Sequence, residues 1–471
     1  MATCHVAFLH FMAYGHMIPM ADMAVLFASR GLQTTIVTTS STAHHFTKSI
    51  QKTVNYTHQI ALHIIDFKPG FPPGIANLDQ DTSNEHLSRL LEAIRTLQEP
   101  FEQFVQRSQP NCIVTDMFFP WTAETAAKFN IPRVTFTGTG LFGLCVSDAI
   151  RLHQPNVSSD SEHFVVPYLP HEIKLTRKQL PQFEGDEFKD FLNFFIQVAE
   201  AEEKSYGVIV NSFYELEPEY VRHYREVMKR KAWHIGPVSL CSTIRTEDKL
   251  ERGKKSSINE HECLKWLESK PPSSVIYVSF GTIVKVTSSQ LHEIAMGLEA
   301  CDVNFIWVIR NDQEKLIPEG FEAKMQAKNK GMIIKGWAPQ VMILGHESVG
   351  GFVTHCGWNS VLEGVTCGVA MVAWPVMAEQ FYNAKLVTDV LRIGVSIGYV
   401  EWSTDSTCEG VSREAIVRAV ARVMGPEEGD KMRVRAQELK EKANTALVKG
   451  GSSYKDLTTF IEDIKGFKSE S

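Results

Sequence analysis

The sequence has no surplus of positive charge. Its 471 residues carry 48 Lys and Arg against 55 Asp and Glu, which gives a net charge of −7 at pH 7. Neutralisation of phosphates by basic side chains supplies most of the affinity of proteins for nucleic acid. A chain without a basic field offers little to such a polymer, so we expect no nucleic-acid partner.

Paired cysteines and long apolar runs are also missing. The nine cysteines are scattered and odd in number and include no CxxC pair, so neither a disulfide framework nor a zinc knuckle is indicated. No run approaches the roughly 20 apolar residues that cross a bilayer. The first residues lack the positive charge of a signal peptide, and His10 interrupts their apolar stretch. We therefore expect reduced thiols, a cytoplasmic location and no membrane anchor.

The chain does have a repeated alternation of short apolar segments with helical patterns. The first half of the chain contains four segments that are typical of strands: HVAFLHF, TTIVTT, NCIVTD and RVTFTG. The second half contains four more: SVIYVSFG, NFIWVIR, GGFVTH and AMVAWP. Crossovers of helix length predict parallel strands with helices on both faces. The sequence thus predicts the α/β class, with two doubly wound, Rossmann-like domains facing each other across a cleft.

A polar stretch without apolar periodicity separates the two series and serves as the predicted linker, 243–262. We expect an N-terminal domain over 1–242, a C-terminal domain over 263–452, and a last helix over 453–471 that packs back on the N-terminal domain. Nucleotides bind at the carboxyl ends of parallel strands. Phosphorylases, epimerases and periplasmic binding proteins share this outline, so the fold alone leaves the function open.

The most specific stretch runs from Trp337 to Gln380. A predicted strand ending at His355 leads through Cys356 and Gly357 directly into a helix. The free N–H groups and the positive dipole end of that helix are suited to holding phosphate. Gly357 allows close approach of the backbone, and Ser360 lies near enough to hydrogen-bond an oxygen of the same ligand.

This stretch closely resembles the donor-binding signature of the plant family 1 UDP-sugar glycosyltransferases, which are enzymes of the GT-B fold. The resemblance extends along the whole chain, from GHMIP at residues 15–19 through SFGT at 279–282 to the final helices. It implies that the N-terminal domain binds the acceptor and the C-terminal domain binds the UDP-sugar. Two positions depart from the family pattern, since Ala370 stands where proline is common and Gly345 where serine is common, and neither is expected to touch the donor.

The resemblance also implies roles for individual residues. Trp337 would stack on uracil with Ala338 and Gln340 beside it, and Glu363 would hold the ribose hydroxyls. Glu379 and Gln380 would grip the sugar, and in the family glutamine at this position favours glucose whereas histidine favours galactose. The residues expected around the diphosphate are Thr282, His355, Gly357, Trp358, Asn359 and Ser360.

His16 and Asp116 are the candidate catalytic pair. Transfer to an alcohol needs a base, and histidine is the side chain best matched to neutral pH. His16 lies in the predicted turn over residues 12–19, between the first strand and the first helix, and Asp116 ends another strand, so both are expected at the edge facing the cleft. By position alone, helix capping explains each residue equally well. Both positions match the base and its carboxylate partner in the family, which favours catalysis.

The resemblance implies inverting, metal-independent transfer of glucose from UDP-glucose to a small apolar acceptor such as a flavonoid, another phenolic or a triterpenoid. The product would be a β-glucoside, with UDP-glucose as substrate, no cofactor and a monomeric enzyme. Asp79-Gln80-Asp81 forms a DxD pattern, but a solvated turn explains it better than a metal site. Transfer of galactose, xylose or glucuronic acid, and nucleotide-sugar binding without catalysis, stay open. Five aromatic residues follow strand ends and are candidates for an acceptor pocket or for the core: Tyr14, Phe118, Phe119, Trp121 and Phe142.

Overall fold

The computed structural model describes residues 4–72, 74–76, 83–154, 163–181, 189–242, 256–403 and 405–467. The strands of the N-terminal part are β1 (His5–Leu9), β2 (Gln33–Thr38), β3 (Ala61–Ile64), β4 (Cys112–Asp116), β5 (Arg133–Phe136), β6 (His163–Val165), β7 (Lys174–Thr176), β8 (Gly207–Val210) and β9 (Ala232–His234). Its helices are α1 (Tyr14–Ser29), α2 (Thr47–Lys52), α3 (Asn84–Arg95), α4 (Gln98–Ser108), α5 (Thr122–Phe129), α6 (Leu141–His153), α7 (Lys189–Glu203), α8 (Pro218–Arg222) and α9 (Val238–Ser242).

The C-terminal part repeats the alternation. Its strands are β10 (Val275–Ser279), β11 (Lys285–Val286), β12 (Asn304–Ile309), β13 (Gly331–Lys335), β14 (Val349–Thr354), β15 (Ala370–Ala373), β16 (Gly394–Ser396) and β17 (Thr407–Cys408). Its helices are α10 (Glu260–Glu268), α11 (Ser288–Ala300), α12 (Phe321–Ala327), α13 (Gln340–Leu344), α14 (Trp358–Cys367), α15 (Gln380–Lys385), α16 (Arg413–Met424), α17 (Glu428–Leu447) and α18 (Ser452–Gly466). None of the helices within these residues is both long and apolar enough to span a membrane.

Two parallel sheets organise the molecule. The first has the strand order β3-β2-β1-β4-β5-β8-β9 and the second the order β13-β12-β10-β14-β15-β16. In each sheet the chain changes direction beside its first strand, between β1 and β4 and between β10 and β14. Crevices at such switch points are where ligands bind in open α/β sheets. The two-domain α/β architecture predicted from the sequence is confirmed.

The first helix begins earlier than the sequence pattern indicates. The sequence predicts that residues 12–19 form the turn between the first strand and the first helix, whereas α1 starts at Tyr14 and contains Pro19. His16 therefore lies in the first turn of the helix. Proline has no N–H and is normally excluded from a helix interior, so an unusual contact at this point compensates for the missing donor, as described below.

The last helix lies against the first sheet, although it follows the second in sequence. Leu457, Phe460 and Ile464 of α18 join the core cluster that contains Val6 and Phe8 of β1. The predicted linker falls largely on residues 243–255, which lie outside the described residues. Its final residues belong to α10, which starts at Glu260.

Candidate functional site

The carboxyl ends of β1 and β4 bring His16 and Asp116 together. These strands are neighbours in the first sheet, with Leu9 opposite Thr115. The Nδ1 atom of His16 lies 2.6 Å from Oδ2 of Asp116, whose side chain is fully buried. The other carboxylate oxygen accepts the backbone N–H of Phe118 at 3.2 Å. The carboxylate is thus held in place and fixes the orientation of the imidazole.

The environment of His16 favours its protonated form. Burial lowers the pKa of His16, but the charge of Asp116, the hydrogen bond to that carboxylate and the charge of Glu379 together raise it above its usual value. Gly138, at a φ of 78°, lies against the ring, and a Cβ at this position would be 3.0 Å from Cε1 of His16. The imidazole is therefore enclosed by a carboxylate on one side and bare backbone on another.

Aromatic rings extend from His16 into the N-terminal part. The rings of Phe11 and Phe118 stack at a centroid distance of 4.1 Å, and each ring meets His16 edge-on at 5.6 and 5.7 Å respectively. Phe194 and Phe195 of α7 continue from Phe118 at 6.0 and 6.4 Å. These four rings form a continuous aromatic wall beside the imidazole, in which Phe11 and Phe194 are buried and Phe118 and Phe195 are half-buried.

The aromatic residues singled out from the sequence do not all belong to this wall. Phe119 and Phe142 are fully buried. Trp121 packs on Phe101 and Phe119 within the core of the N-terminal part. Tyr14 points the other way, with its ring centroid 5.7 Å from that of Trp337 in the C-terminal part. Of the five candidates, only Phe118 lies beside His16 in the wall.

His355 occupies a narrow slot after β14. A Cβ on Gly357 would lie 2.4 Å from Nε2 of its ring, and a Cβ on Gly281 would lie 2.7 Å from Cε1. Burial lowers the pKa of His355 to about 4. Its buried Nδ1 has no hydrogen-bond partner among the described residues. His355 is thus a neutral imidazole with hydrogen-bonding capacity left over at the start of α14.

Three further residues of the sequence motif meet in one hydrogen-bonded cluster. Nε2 of Gln340 donates to Oε2 of Glu363 at 2.7 Å and to Oγ of Ser360 at 3.2 Å. The hydroxyl of Tyr277 donates to Oε1 of the same glutamine at 3.3 Å. The cluster joins the start of α13 to the first turns of α14. It therefore brings together residues expected at the ribose and at the diphosphate.

Trp337 and Ala338 lie at the edge of this cluster, between β13 and α13. The backbone N–H of Trp337 donates to Oγ of Ser257 at 2.9 Å, and its carbonyl accepts the N–H of Ser257 at 2.8 Å. The loop is thereby fixed to the segment before α10. Thr282 follows β10, where its carbonyl accepts from Arg310 at 2.8 Å. All three thus lie at the carboxyl edge of the second sheet.

Glu379 and Gln380 lie at the turn into α15 and have different surroundings. Burial raises the pKa of Glu379 above its usual value, although backbone hydrogen bonds and the charge of His16 act in the opposite direction. Gln380 is 7% exposed, and its Oε1 accepts the backbone N–H groups of Val376 and Met377 at 2.9 and 3.1 Å. Only the amide nitrogen of Gln380 is therefore available to a sugar.

Trp358 and Asn359 reach across the cleft. The indole of Trp358 is 2% exposed, and its Nε1 donates to the carbonyl of Asn211 at 2.8 Å. A Cβ on Gly140 would lie 2.5 Å from this ring. Nδ2 of Asn359 donates to the carbonyl of Gly15 at 2.7 Å. The indole of Trp358 thus docks into the N-terminal part, which leaves only its backbone for a donor ligand.

The sequence reasoning missed one residue that links these parts. Asn383 of α15 is fully buried, and its Nδ2 donates to the carbonyl of Cys356 at 2.9 Å and to Oε1 of Glu379 at 3.4 Å. Cys356 has a φ of 63°, which is unusual for a residue with a side chain. Asn383 holds this turn and Glu379 together. The sequence shows only an asparagine three residues after Gln380, and its burial and its partners are visible only in the structure.

Within the parts of the chain that the structure describes, no group of three or more His, Cys, Asp or Glu side chains is arranged to hold a metal ion. Asp79-Gln80-Asp81 lies outside those parts. The groups gathered at the cleft are a histidine–carboxylate pair, an aromatic wall, a helix N-terminus and a Gln–Ser–Glu cluster. Together they are suited to moving a proton beside an anionic leaving group.

Comparison with known proteins gives consistent results along the chain. A family model described as "UDP-glucoronosyl and UDP-glucosyl transferase" matches residues 190–409, and one described as "Glycosyltransferase, N-terminal domain" matches residues 3–240. A scopoletin glucosyltransferase of Nicotiana tabacum is 54% identical over 100% of this chain and 99% of its own. A UDP-glucose flavonoid 3-O-glucosyltransferase of Fragaria ananassa is 49% identical over 98% of this chain and 96% of its own.

Solved structures agree. The crystal structure of UGT73P12 from Glycyrrhiza uralensis, in complex with glycyrrhetinic acid 3-O-monoglucuronide, superposes with a TM-score of 0.91 at 39% identity, covering 98% of this chain and 96% of that one. That of UGT71G1 from Medicago truncatula, in complex with UDP-glucose, has a TM-score of 0.81 at 26% identity, covering 98% and 99% of the two chains.

Proposed function

Because this chain belongs to the plant family 1 UDP-sugar glycosyltransferases and is a UDP-glucosyltransferase, we propose that it transfers glucose to a hydroxyl of a small apolar acceptor. The transfer inverts the anomeric carbon, gives a β-glucoside and needs neither a metal nor a cofactor. The observation that carries this proposal is the 2.6 Å contact between His16 and the buried Asp116 at the cleft. The same pair in hydrolases serves to generate an oxygen nucleophile.

The His16–Asp116 contact determines how the proton moves. Because Nδ1 of His16 faces the carboxylate, its hydrogen is assigned there, which leaves Nε2 as the acceptor facing the cleft. The acceptor hydroxyl gives its proton to Nε2 as its oxygen attacks the anomeric carbon. The bond between that carbon and the diphosphate oxygen breaks, and UDP departs with the electron pair. Asp116 stabilises the imidazolium that forms.

The start of α14 supports departure of UDP. Its N-terminal N–H groups and dipole favour negative charge, and the neutral His355 keeps an unused Nδ1 beside them. Asn359 and Ser360 add side-chain groups in the first turn. Preorganised donors of this kind stabilise charge that develops in a transition state. They supply the role that a divalent cation fills in other glycosyltransferases.

The aromatic wall supports an apolar acceptor with ring systems. Phe118 and Phe195 keep partly exposed rings in the wall beside His16, and the buried rings of Phe11 and Phe194 support them from the core. Rings of this kind bind planar or rigid apolar molecules through stacking and edge contacts. Flavonoids, other phenolics and triterpenoids fit that description, and two relatives are named for scopoletin and flavonoids.

The test is a single-turnover assay with UDP-glucose and a panel of phenols and triterpenoid alcohols in EDTA, comparing the wild type with His16→Ala. We expect β-glucoside formation that persists in EDTA and falls by at least about 100-fold in the variant. UDP binding, measured by calorimetry, should be preserved in both proteins. Activity lost in EDTA would overturn metal independence, and full activity of His16→Ala would remove His16 from the mechanism.

Donor identity is tested separately by competition. UDP-glucose is offered together with UDP-galactose, UDP-xylose and UDP-glucuronic acid, and the products are separated by mass. We expect glucosides to dominate, because Gln380 is held by the N–H groups of Val376 and Met377 with its amide nitrogen left for the sugar. Predominance of another sugar would replace glucose in the proposal, and binding of UDP-glucose without any transfer would indicate a binding protein.

A further inference from the structure

The N-termini of two helices, α1 and α14, meet across the cleft. Asn359 in the first turn of α14 donates from Nδ2 to the carbonyl of Gly15 in the first turn of α1, at 2.7 Å. The next residue after Gly15 is His16. A side chain expected at the donor diphosphate is therefore bonded to the backbone next to the expected base.

Pro19 makes the Gly15 carbonyl available for this bond. In a regular helix the carbonyl of residue 15 accepts the N–H of residue 19, four positions later. Pro19 lies inside α1 and has no N–H to give. Proline is the least favourable residue in a helix interior, so its presence here calls for a compensating contact. The amide of Asn359 supplies the missing donor from the other side of the cleft.

We propose that Pro19 and Asn359 act together as positioning residues, with the bond from Asn359 to Gly15 setting the place of His16 relative to the donor diphosphate. The carboxamide nitrogen has two hydrogens. One bonds Gly15, and the other is left for a diphosphate oxygen. When the donor binds, Asn359 therefore contacts both the diphosphate and the backbone beside His16, which fixes the position of the base relative to the leaving group. This inference rests on the proposed function, because it assigns Asn359 to the donor site.

A second contact beside the Asn359–Gly15 bond also joins the start of α1 to the predicted donor site. The ring centroids of Tyr14 and Trp337 are 5.7 Å apart. Asn359 also lies beside the α-carbon of Gly15, since a Cβ there would be in van der Waals contact with Nδ2 of Asn359 at 3.8 Å. Two consecutive residues before His16 therefore contact two residues expected to bind the donor. The catalytic helix and the donor site are joined directly, without an intervening loop.

Pro19→Ala tests the proposal because it restores the missing N–H. The new donor competes for the Gly15 carbonyl within the helix, and alanine favours the helix more than proline does. We expect kcat to fall by about 10- to 100-fold, since misplacement by about 1 Å has effects of that size. The Kd for UDP should stay within about twofold, and the melting temperature should not fall below that of the control.

The matched control is Val25→Ala, which removes a similar volume from the same helix. Val25 is 4% exposed and keeps its N–H. It should lose some stability and retain wild-type kcat. Equal kcat values for the two variants would overturn the proposal. So would a loss of kcat in Pro19→Ala that is matched by an equal loss of UDP affinity.

A double-mutant cycle with Asn359→Ala provides a second test. If the bond to Gly15 is the shared element, the effects of Pro19→Ala and Asn359→Ala on kcat are less than multiplicative. Independent effects would contradict the proposal. Amide hydrogen exchange of residues 14–18 should also rise in Asn359→Ala. That measurement needs no turnover, so it tests the bond even if the wild type transfers no glucose, a result that would instead overturn the proposed function.

Discussion

At the scale of single residues, burial and nearby carboxylates have opposite effects on the pKa of His16. Burial disfavours its charged form, and the carboxylates of Asp116 and Glu379 favour it, with a raised pKa as the result. A general base must be unprotonated to act. In the proposed mechanism, with His16 as the base, the active form therefore gains population as the pH rises through a value above the ordinary histidine pKa of about 6.5.

Asp116→Asn tests this balance. Removing the negative charge lowers the pKa of His16, so the rising limb of the kcat/KM profile should shift to lower pH. The rate at the plateau should nevertheless fall by roughly two to four orders of magnitude, because the imidazolium loses its counter-charge and the tautomer is no longer fixed. Steady-state kinetics between pH 5 and 9 measures both effects. The control is Asp66→Asn, which removes a carboxylate bonded to Ser40 and should leave the pH profile of kcat/KM unchanged. A rising limb that moves to higher pH in Asp116→Asn would contradict the argument.

Gly138→Ala separates crowding of the imidazole from backbone strain. Gly138 and Gly31 share a φ of 78°, but a Cβ on Gly138 would lie 3.0 Å from the His16 ring, whereas a Cβ on Gly31 would meet nothing within 4 Å. Both alanine variants should lose about 1–2 kcal/mol of stability from the left-handed backbone. Only Gly138→Ala should lose kcat, by about tenfold or more. Thermal unfolding and turnover assays give the comparison, and equal rates in the two variants would show that the contact is unimportant.

At the scale of elements, the docking of α18 depends on a buried histidine. His234 of β9 lies between two carboxylates, with Glu217 Oε1 at 3.5 Å from Nε2 and Asp456 Oδ2 of α18 at 3.7 Å from Nδ1. Asp456 also bonds Arg225 at 2.5 Å and the N–H of His234 at 2.9 Å. Burial lowers the pKa of His234, and the two carboxylates more than compensate, so that it is raised.

This arrangement predicts that α18 docks less firmly as the pH rises. A group with a raised folded-state pKa contributes stability below its unfolded value, about 6.5 for histidine, and loses that contribution as the pH rises through the folded value. Burial raises the pKa of Asp456, but its bonds to His234 and the charges of Arg225 and His234 more than compensate, so that the pKa lies below its usual value. The stability that this carboxylate contributes is therefore lost only at acidic pH. The protection factors of the amides of residues 452–466, in which the observed exchange is corrected for the base-catalysed exchange of a free peptide, should therefore fall between pH 6 and 9. His234→Gln should abolish this fall in protection, and His261→Gln, at an exposed histidine, should not. Protection factors that stay constant between pH 6 and 9 in the wild type would refute the explanation.

At the scale of the whole molecule, several contacts join the two sheets across the cleft. Besides Asn359 to Gly15, the indole of Trp358 bonds the carbonyl of Asn211. At another point the backbone N–H of Trp402 donates to the carbonyl of Lys178 at 2.7 Å, and Lys178 pairs with Glu401 at 3.0 Å. The surface pair is worth little. The buried indole is the stronger connection, because its loss leaves a carbonyl without a donor.

Trp358→Phe should weaken the coupling between the two halves. The variant keeps an aromatic ring but leaves the buried Asn211 carbonyl unsatisfied, at a cost of about 1–3 kcal/mol. We expect a broadened or two-step thermal unfolding transition and a reduced kcat, with UDP affinity retained because the ring makes no donor contact. Trp307→Phe changes an indole buried in the core of the C-terminal part and should lower stability without separating the transitions. A single sharp transition in Trp358→Phe would argue against a coupling role.

The sequence by itself determined the sheets and the position of the chemistry. Alternating apolar segments specified parallel strands, and parallel strands expose their carboxyl ends at one edge. His16 and Asp116 were therefore predictable at one edge, and the stretch from Trp337 to Gln380 identified the family. These features are local, because they depend on periodicity and on residues close together in the chain.

Only the tertiary structure decided which distant groups complete the site. The start of α1 at Tyr14 contradicts the local pattern around Pro19, because the donor that replaces the missing N–H comes from Asn359. The burial of the Trp358 indole against Gly140 and the role of Asn383 follow likewise from packing between segments far apart in the chain. Hydrogen bonds across a domain cleft leave no periodic trace in a sequence, so they appear only when the two domains are placed together.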